Sequence, residues 1–220
     1  MVDGGDVLNK LFGGAARVRA MRLFLLNTEQ GFESKDVALR TKSRPEIIRK
    51  ELNLLSSIGF IKKKPFIKEE TIPAKKRGGL PTIRRKKIDG WFLSPSFPYL
   101  EQIRNLLTDT DFFDRDMLTA RFRQAGKLKL LIISGIFTDE AKSRLDILIV
   151  GDKLKRQIVD EAVRTLQAEI GKELSYAVFT KNEFLYRASM YDKLICDIVD
   201  FNHETLVDTD KLSTHTLRRI

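Results

Sequence analysis

The sequence predicts an α+β protein of two domains, on three observations. The first half passes from apolar residues at helical spacing into two strand-like basic runs. The second half alternates strand, strand, helix, strand, helix, the order of an α/β layer. Charge divides between the halves as well: residues 1–110 carry 22 Lys+Arg against 12 Asp+Glu, and residues 111–220 carry 18 against 18, so the excess of +10 lies in the first half. A chain of 220 residues is long enough for two small cores. The expected boundaries are 1–95 for the first domain, 96–112 for a linking helix, 113–210 for the second domain and 211–220 for a tail.

In the first half, Gly13 and Gly14 interrupt an apolar cluster of Val7, Leu8, Leu11 and Phe12. AARVRAMRLFLLN then sets Val18, Met21 and Leu25 at helical spacing, which predicts a helix of about three turns. Ser34 can cap a shorter helix, SKDVALRT, with Val37, Ala38 and Thr41 facing inward. The third helix is the best marked. In SRPEIIRKELNLLSSIGF, Ser43 and Glu46 have the spacing of a capping box, Pro45 is tolerated in the first turn, and Gly59 is the stop. Ile48, Leu52 and Leu55 should pack inward, which leaves Arg44, Arg49, Lys50 and Asn53 on other faces.

FIKKKPFIKEE and TIRRKKIDGWFL then read as strands joined by TIPAKKRGGLP, whose Pro and Gly-Gly mark a turn. The resulting hairpin, Phe60 to Leu93, carries Lys62, Lys63, Lys64, Lys75, Lys76, Arg77, Arg84, Arg85, Lys86 and Lys87. Edge-strand lysines that block aggregation account for a few of these charges but not for the whole set.

SPSFPYLEQIRNLL offers Ser94 and Ser96 as caps for a helix with Leu100, Ile103 and Leu107 at helical spacing. DTDFFDRDM, with Asp109, Asp111, Asp114 and Asp116, lacks the central glycine and closing glutamate of a calcium loop. Its acids read as caps and solvated turn residues, with Phe112, Phe113, Met117 and Leu118 anchoring the second domain. There the expected elements are strand LKLLIISGIF, loop TDEAKS, strand RLDILIVG, helix KLKRQIVDEAVRTLQAEIG ending at Gly171, strand ELSYAVFT, and helical KNEFLYRASMYDKLICDIVD.

Helix, turn, helix and basic hairpin together resemble bacterial winged helix-turn-helix transcriptional regulators over about residues 10 to 95. The resemblance implies that Ser43, Arg44, Arg49, Lys50 and Asn53 contact bases or phosphates of double-stranded DNA. It implies that the hairpin cations, Lys75, Lys76 and Arg77 among them, reach an adjacent groove or backbone. A homodimer is expected, because two-fold symmetry doubles a small reading head's site.

Residues 126 to 207 resemble the minimal nucleotidyltransferase fold of antitoxin-type and aminoglycoside-modifying enzymes. That family places a Gly-Ser pair after the first strand to hold a phosphate, and Asp-x-Asp on the second to bind divalent metal. This chain has the reversed pair Ser134-Gly135, and Arg144-Leu145-Asp146 where two acids are expected. No carboxylate lies in LSYAVFT. A guanidinium beside Asp146 repels metal and is expected to pair with that acid. The domain therefore reads as a non-catalytic relative. One role is sensing, with Ser134, Gly135, Arg144 and Asp146 as candidate ligand-binding residues for a nucleotide or other small anion; the other is dimerisation and scaffolding. An active nucleotidyltransferase using Asp146 with Asp139 or Glu140, and an RNA-binding protein, stand as alternatives.

The single cysteine, Cys196, cannot form an internal disulfide, and with His203 and His215 it gives no zinc spacing. No metal site and no cofactor are expected. No apolar run approaches a membrane span, and MVDGGDVLNK lacks the layout of a secretion signal, so a cytoplasmic protein without a membrane partner is expected.

Overall fold

The computed structural model describes residues 4–72, 82–108, 114–138, 140 and 142–213. The chain is α+β, with two separate sheets. It divides into two compact units, one of Asn9–Thr108 with Ala168–Lys172 and one of the remainder. No helix among the described residues is long and apolar enough to cross a membrane.

α1 (Gly4–Leu11) belongs through Leu8 to the second unit; the first unit goes on with α2 (Ala15–Leu26), α3 (Ser34–Arg40) and α4 (Pro45–Ser57). The spacing that predicted α2 buries Val18, Met21 and Leu25, along with Phe24, whose ring meets Phe32 edge-on at 5.7 Å. The caps of α3 and α4 differ from expectation. The N-cap of α3 is Glu33, not Ser34; the Asp36 carboxylate accepts from the Glu33 N–H at 3.4 Å. Arg44, not Ser43, caps α4, because a residue before proline is pushed out of the helical region, and Arg44 sits at φ −64°, ψ 138°. Ser43 falls one residue outside the helix, so no Ser43–Glu46 box forms; its hydroxyl donates to the Thr41 carbonyl at 3.1 Å.

Ile48, Leu52 and Leu55 are buried as their spacing requires. Gly59, at φ +81°, ends α4: the Phe60 N–H donates to Leu55 O at 2.9 Å and the Gly59 N–H to Ser56 O at 3.0 Å, the paired bonds of a Schellman motif. The same two bonds end α3, from Ser43 to Ala38 and from Lys42 to Leu39, but there a lysine takes the left-handed position at φ +48°.

β1 (Ile61–Ile72) and β2 (Thr82–Leu93) form the expected antiparallel hairpin, in register from Ile61↔Leu93 to Ile72↔Thr82. A short third strand segment joins it: Phe32 and Trp91 exchange backbone hydrogen bonds of 3.0 and 2.8 Å. Gly90 has no side chain because the Phe66 ring occupies the place of its Cβ. α5 (Leu100–Thr108) belongs to this unit, with Leu107 buried and its carbonyl accepting from Arg22 Nε at 2.7 Å. Ser94 and Ser96 do not cap it; their hydroxyls lie 3.2 Å apart, and Ser96 accepts from Lys62 Nζ at 3.1 Å.

In the second unit, Asp114 caps α6 (Arg115–Arg123), accepting from the N–H groups of Asp116 and Met117. Then come β3 (Lys127–Ile133), a 3-10 turn (Gly135–Phe137), β4 (Ile147–Asp152), α7 (Arg156–Ile170), β5 (Tyr176–Phe179), α8 (Lys181–Ser189), α9 (Lys193–Asp200) and β6 (Glu204–Asp208). The sheet order is β5-β4-β3-β6; β4 and β5 are parallel across the α7 crossover, and the other pairs are antiparallel. Leu130, Ile132, Leu148 and Val150 pack with Phe184, Ile195 and Ile198 into one core.

Four elements depart from expectation. β6 was not foreseen. The last helical run breaks in two at Tyr191, which stands at φ +53°, and Asp192 then caps α9 by accepting from Leu194 N–H at 2.9 Å. β3 stops at Ile133 and β4 starts only at Ile147, because Gly135, at φ +58°, turns the chain out of the sheet.

Candidate functional site

α3 and α4 meet through the tight Thr41–Arg44 turn, which presents the first turn of α4 beside the base of the hairpin. An open groove of about 1000 Å³ lies there. Its lining is basic at Lys35, Lys42, Arg44, Arg49 and Lys63, acidic at Glu33 and Asp89, and apolar at Ala38, Leu39, Pro45 and Trp91. Leu39 is 78% exposed, and the Trp91 indole N–H donates to the Ser34 hydroxyl at 3.1 Å. Ser43 is half-buried, while Arg44, Arg49, Lys50 and Asn53 are exposed because the inward positions of α4 belong to Ile48, Leu52 and Leu55.

Strand pairing sorts the hairpin cations by face. Lys63, Lys87 and Arg85 share the face of Trp91, while Lys62, Lys64, Lys68, Lys86 and Arg84 share the other with Phe66. Lys62, Lys63, Lys64, Arg84, Arg85, Lys86 and Lys87 are all exposed. Among the described residues, Lys63 has a carboxylate partner in Asp89 at 3.6 Å and Arg85 in Glu69 at 2.8 Å, exposed pairs that contribute little stability. Lys75, Lys76 and Arg77 lie outside the described residues.

Lys68, not singled out from the sequence, differs from its neighbours. Its ammonium lies 2.6 Å from Asp36 and 3.1 Å from Glu33, which ties the hairpin to the start of α3. Burial works against the charged Lys68, but the two carboxylates outweigh it and raise its pKa. Glu33 is held below its ordinary range, first by Lys35 at 2.8 Å and then by Lys68. Lys68 stands directly opposite Lys86, and these carboxylates offset the like-charge contact.

The loop from β3 to β4 is closed on itself. Ser134 is fully buried, and its hydroxyl donates to Asn202 O at 2.7 Å; Thr138 donates to the same carbonyl at 2.9 Å. The Asp146 carboxylate accepts from Ile136 N–H at 3.0 Å and from Ser175 N–H at 2.7 Å. Gly135 leaves room for that carboxylate, since a Cβ there would collide with Asp146 Oδ1. Arg144 does not pair with Asp146 as expected. Its Nε lies 2.8 Å from Asp197 Oδ2 on α9, an ionic approach without hydrogen-bond alignment. The reason is that both Asp146 oxygens already face backbone N–H groups.

The chain matches no family model, no curated protein and no solved structure.

Among the described residues no group of three or more His, Cys, Asp or Glu side chains is placed to hold a metal. Asp109, Asp111, Phe112, Phe113, Asp139 and His215 lie outside the described residues. Cys196 is partly buried with its thiol pKa raised, chiefly by that burial, and it lies among Asp192, Asp197 and Asp200, an environment that disfavours a thiolate. The groove beside α4 offers cations and an apolar floor, which suit phosphate oxygens and base faces or methyl groups. Lys35 and Lys42 join it from α3 and the turn. Only the packing of that turn against α4 reveals their place, so spacing along the sequence did not single them out.

Proposed function

We propose that the protein is a sequence-specific DNA-binding transcriptional regulator whose first unit is a winged helix-turn-helix. One observation carries this reading: Arg44, Arg49, Lys50 and Asn53 stand exposed along α4, beside the basic hairpin base and around a groove with an apolar floor. The element order supports it too. A helix, a strand segment at Phe32, two helices joined by a tight turn, and a hairpin whose second strand pairs with that segment follow the order that a winged-helix reading expects. In such an arrangement α4 enters the major groove and the hairpin follows the backbone beside it. The protein acts as a homodimer on paired half-sites.

The second unit is a nucleotidyltransferase-like domain without catalysis, serving dimerisation or ligand sensing. The bonds of the β3–β4 loop support the absence of catalysis, since Ser134 and Asp146 hold the chain's own backbone. Incubation with labelled nucleotides and magnesium or manganese tests it: incorporation abolished by Asp146→Ala in a folded variant would make the domain an enzyme.

Selection of bound duplexes from a random pool, followed by gel shift, tests the DNA reading. The wild type should enrich a paired motif, and Arg49→Ala with Lys50→Ala should lose the preference. Equal binding to all duplexes, unchanged in that variant, sinks the reading, and preference for structured RNA at equal salt replaces it with RNA binding.

A further inference from the structure

The even charge of the second half, 18 basic against 18 acidic residues, conceals a local segregation. Many of its acids are engaged within the fold: Asp114, Asp192 and Glu183 cap helices, Asp146 clamps the β3–β4 loop, and Asp210 binds Lys129 and Lys181. Among the cations that no described residue engages, four lie at neighbouring turns. Arg123 ends α6, Lys127 opens β3, and Lys153 and Lys155 stand between β4 and α7; all four are exposed. None has a side-chain hydrogen bond or ion pair with another described residue.

The fold brings the turns of Lys127, Lys153 and Lys155 together, and Arg123 lies just ahead of the first turn, its carbonyl accepting from Gly126 N–H at 3.4 Å. The Lys155 N–H donates to Ala125 O at 2.8 Å, Lys127 pairs with Asp152 in the β3–β4 ladder, and a Cβ on Gly126 would stand 2.7 Å from Lys153 O. Two turns, 124–127 and 152–155, are thus pressed against each other with their cations outward. Lys153 holds the left-handed position of its turn at φ +55°, where glycine would be less strained. Little negative charge answers them. Asp152 lies in the field of Lys181, and the first turn of α7 holds no acid.

We propose that Arg123, Lys127, Lys153 and Lys155 form a second DNA-contacting surface, on the second unit, which takes the phosphodiester backbone of duplex DNA without reading sequence. Four exposed cations whose ammonium and guanidinium groups no described residue holds are what a row of phosphates recruits, and each contact releases counterions. This inference rests on the DNA-binding reading of the first unit but uses different residues.

The test measures affinity of the full-length protein for a long duplex over a series of salt concentrations, and compares two variants with the wild type. In the patch variant Arg123, Lys127, Lys153 and Lys155 are all changed to Gln; in the α4 variant Arg49 and Lys50 are changed to Ala. The patch variant should lower the slope of log affinity against log salt by about 3 to 4 while keeping its preference among sequences, at about 0.9 per contact. Lys127→Gln with Lys155→Gln alone should show about half that fall, which covers the case in which the fourfold variant does not fold. An unchanged slope in folded patch variants overturns the proposal, and the DNA reading survives if the α4 variant loses its preference. A lowered slope with an unaffected α4 variant sustains the patch and sinks the α4 reading. A wild type that binds no duplex, or that binds anionic vesicles through these four residues instead, overturns the proposal.

Discussion

Asp146 and Ser175 hold each other at two points: the Ser175 N–H donates to the Asp146 carboxylate at 2.7 Å, and the Asp146 N–H donates to the Ser175 carbonyl at 2.7 Å. The same carboxylate accepts from Ile136, so one side chain ties the turn after β3 to the entry of β5. Asp146→Ala should cost about 2 to 4 kcal/mol, because two backbone donors lose a charged acceptor. Asp146→Asn, which keeps one acceptor oxygen, should cost about half as much. Chemical denaturation of the two variants checks the order; equal stability to wild type would show that the clamp carries no weight.

Gly135→Ala should destabilise by at least about 2 kcal/mol, since it combines a left-handed backbone with a collision against Asp146 Oδ1. In an Asp146→Ala background the collision disappears and only the backbone cost remains, about 1 kcal/mol. A double-mutant cycle should therefore show strong coupling between the two positions, and strict additivity would contradict the geometry.

What the sequence made legible here was local. Helical spacing identified the buried residues of α4, and alternating basic and apolar runs marked the hairpin, because periodicity is set by neighbours along the chain. Arg144 was expected to meet Asp146, two residues away, but meets Asp197, 53 positions on, and no spacing rule contains that distance. The Ser43–Glu46 box failed for a reason that was present in the sequence: Pro45 moves the helix boundary. β6 escaped notice because its five residues, ETLVD, are too short and too polar to show a pattern until β3 supplies an edge.

Asp210 contributes to acid stability in the second unit. Hydrogen bonds from Lys181, at 2.6 Å, and Lys129, at 3.0 Å, lower its pKa from 3.8 to about 2. A carboxylate depressed on folding contributes stability that is fully present above pH 3.8 and is lost as pH falls toward about 2. Asp210→Asn should flatten the fall in stability over that window. Lys181 carries the alkaline counterpart: Asp210 raises its pKa above 10.5, so its share is full below that pH and fades above it. Melting temperatures across both windows, in wild type and variant, measure the difference.

Lys42 separates stability from binding. It holds a left-handed position at φ +48° while lining the groove beside α4. Lys42→Gly should raise stability by about 0.5 to 1 kcal/mol as the backbone strain is relieved. The same change should weaken duplex binding and lower its salt slope by about 0.9 if the ammonium meets a phosphate. A variant that is stabilised and binds with an unchanged slope would remove Lys42 from the interface.

Phe32 and Trp91 pair across 59 positions of chain, and Trp91 is the only tryptophan in the sequence. The segment ahead of α3 therefore has no strand to join until β2 has left the ribosome, so the first unit closes only after α2, α3, α4 and β1 are all synthesised. Because the lone indole sits at that closure, donating to Ser34, its emission reports a single event. The protein carries a built-in optical probe for the moment its return strand docks.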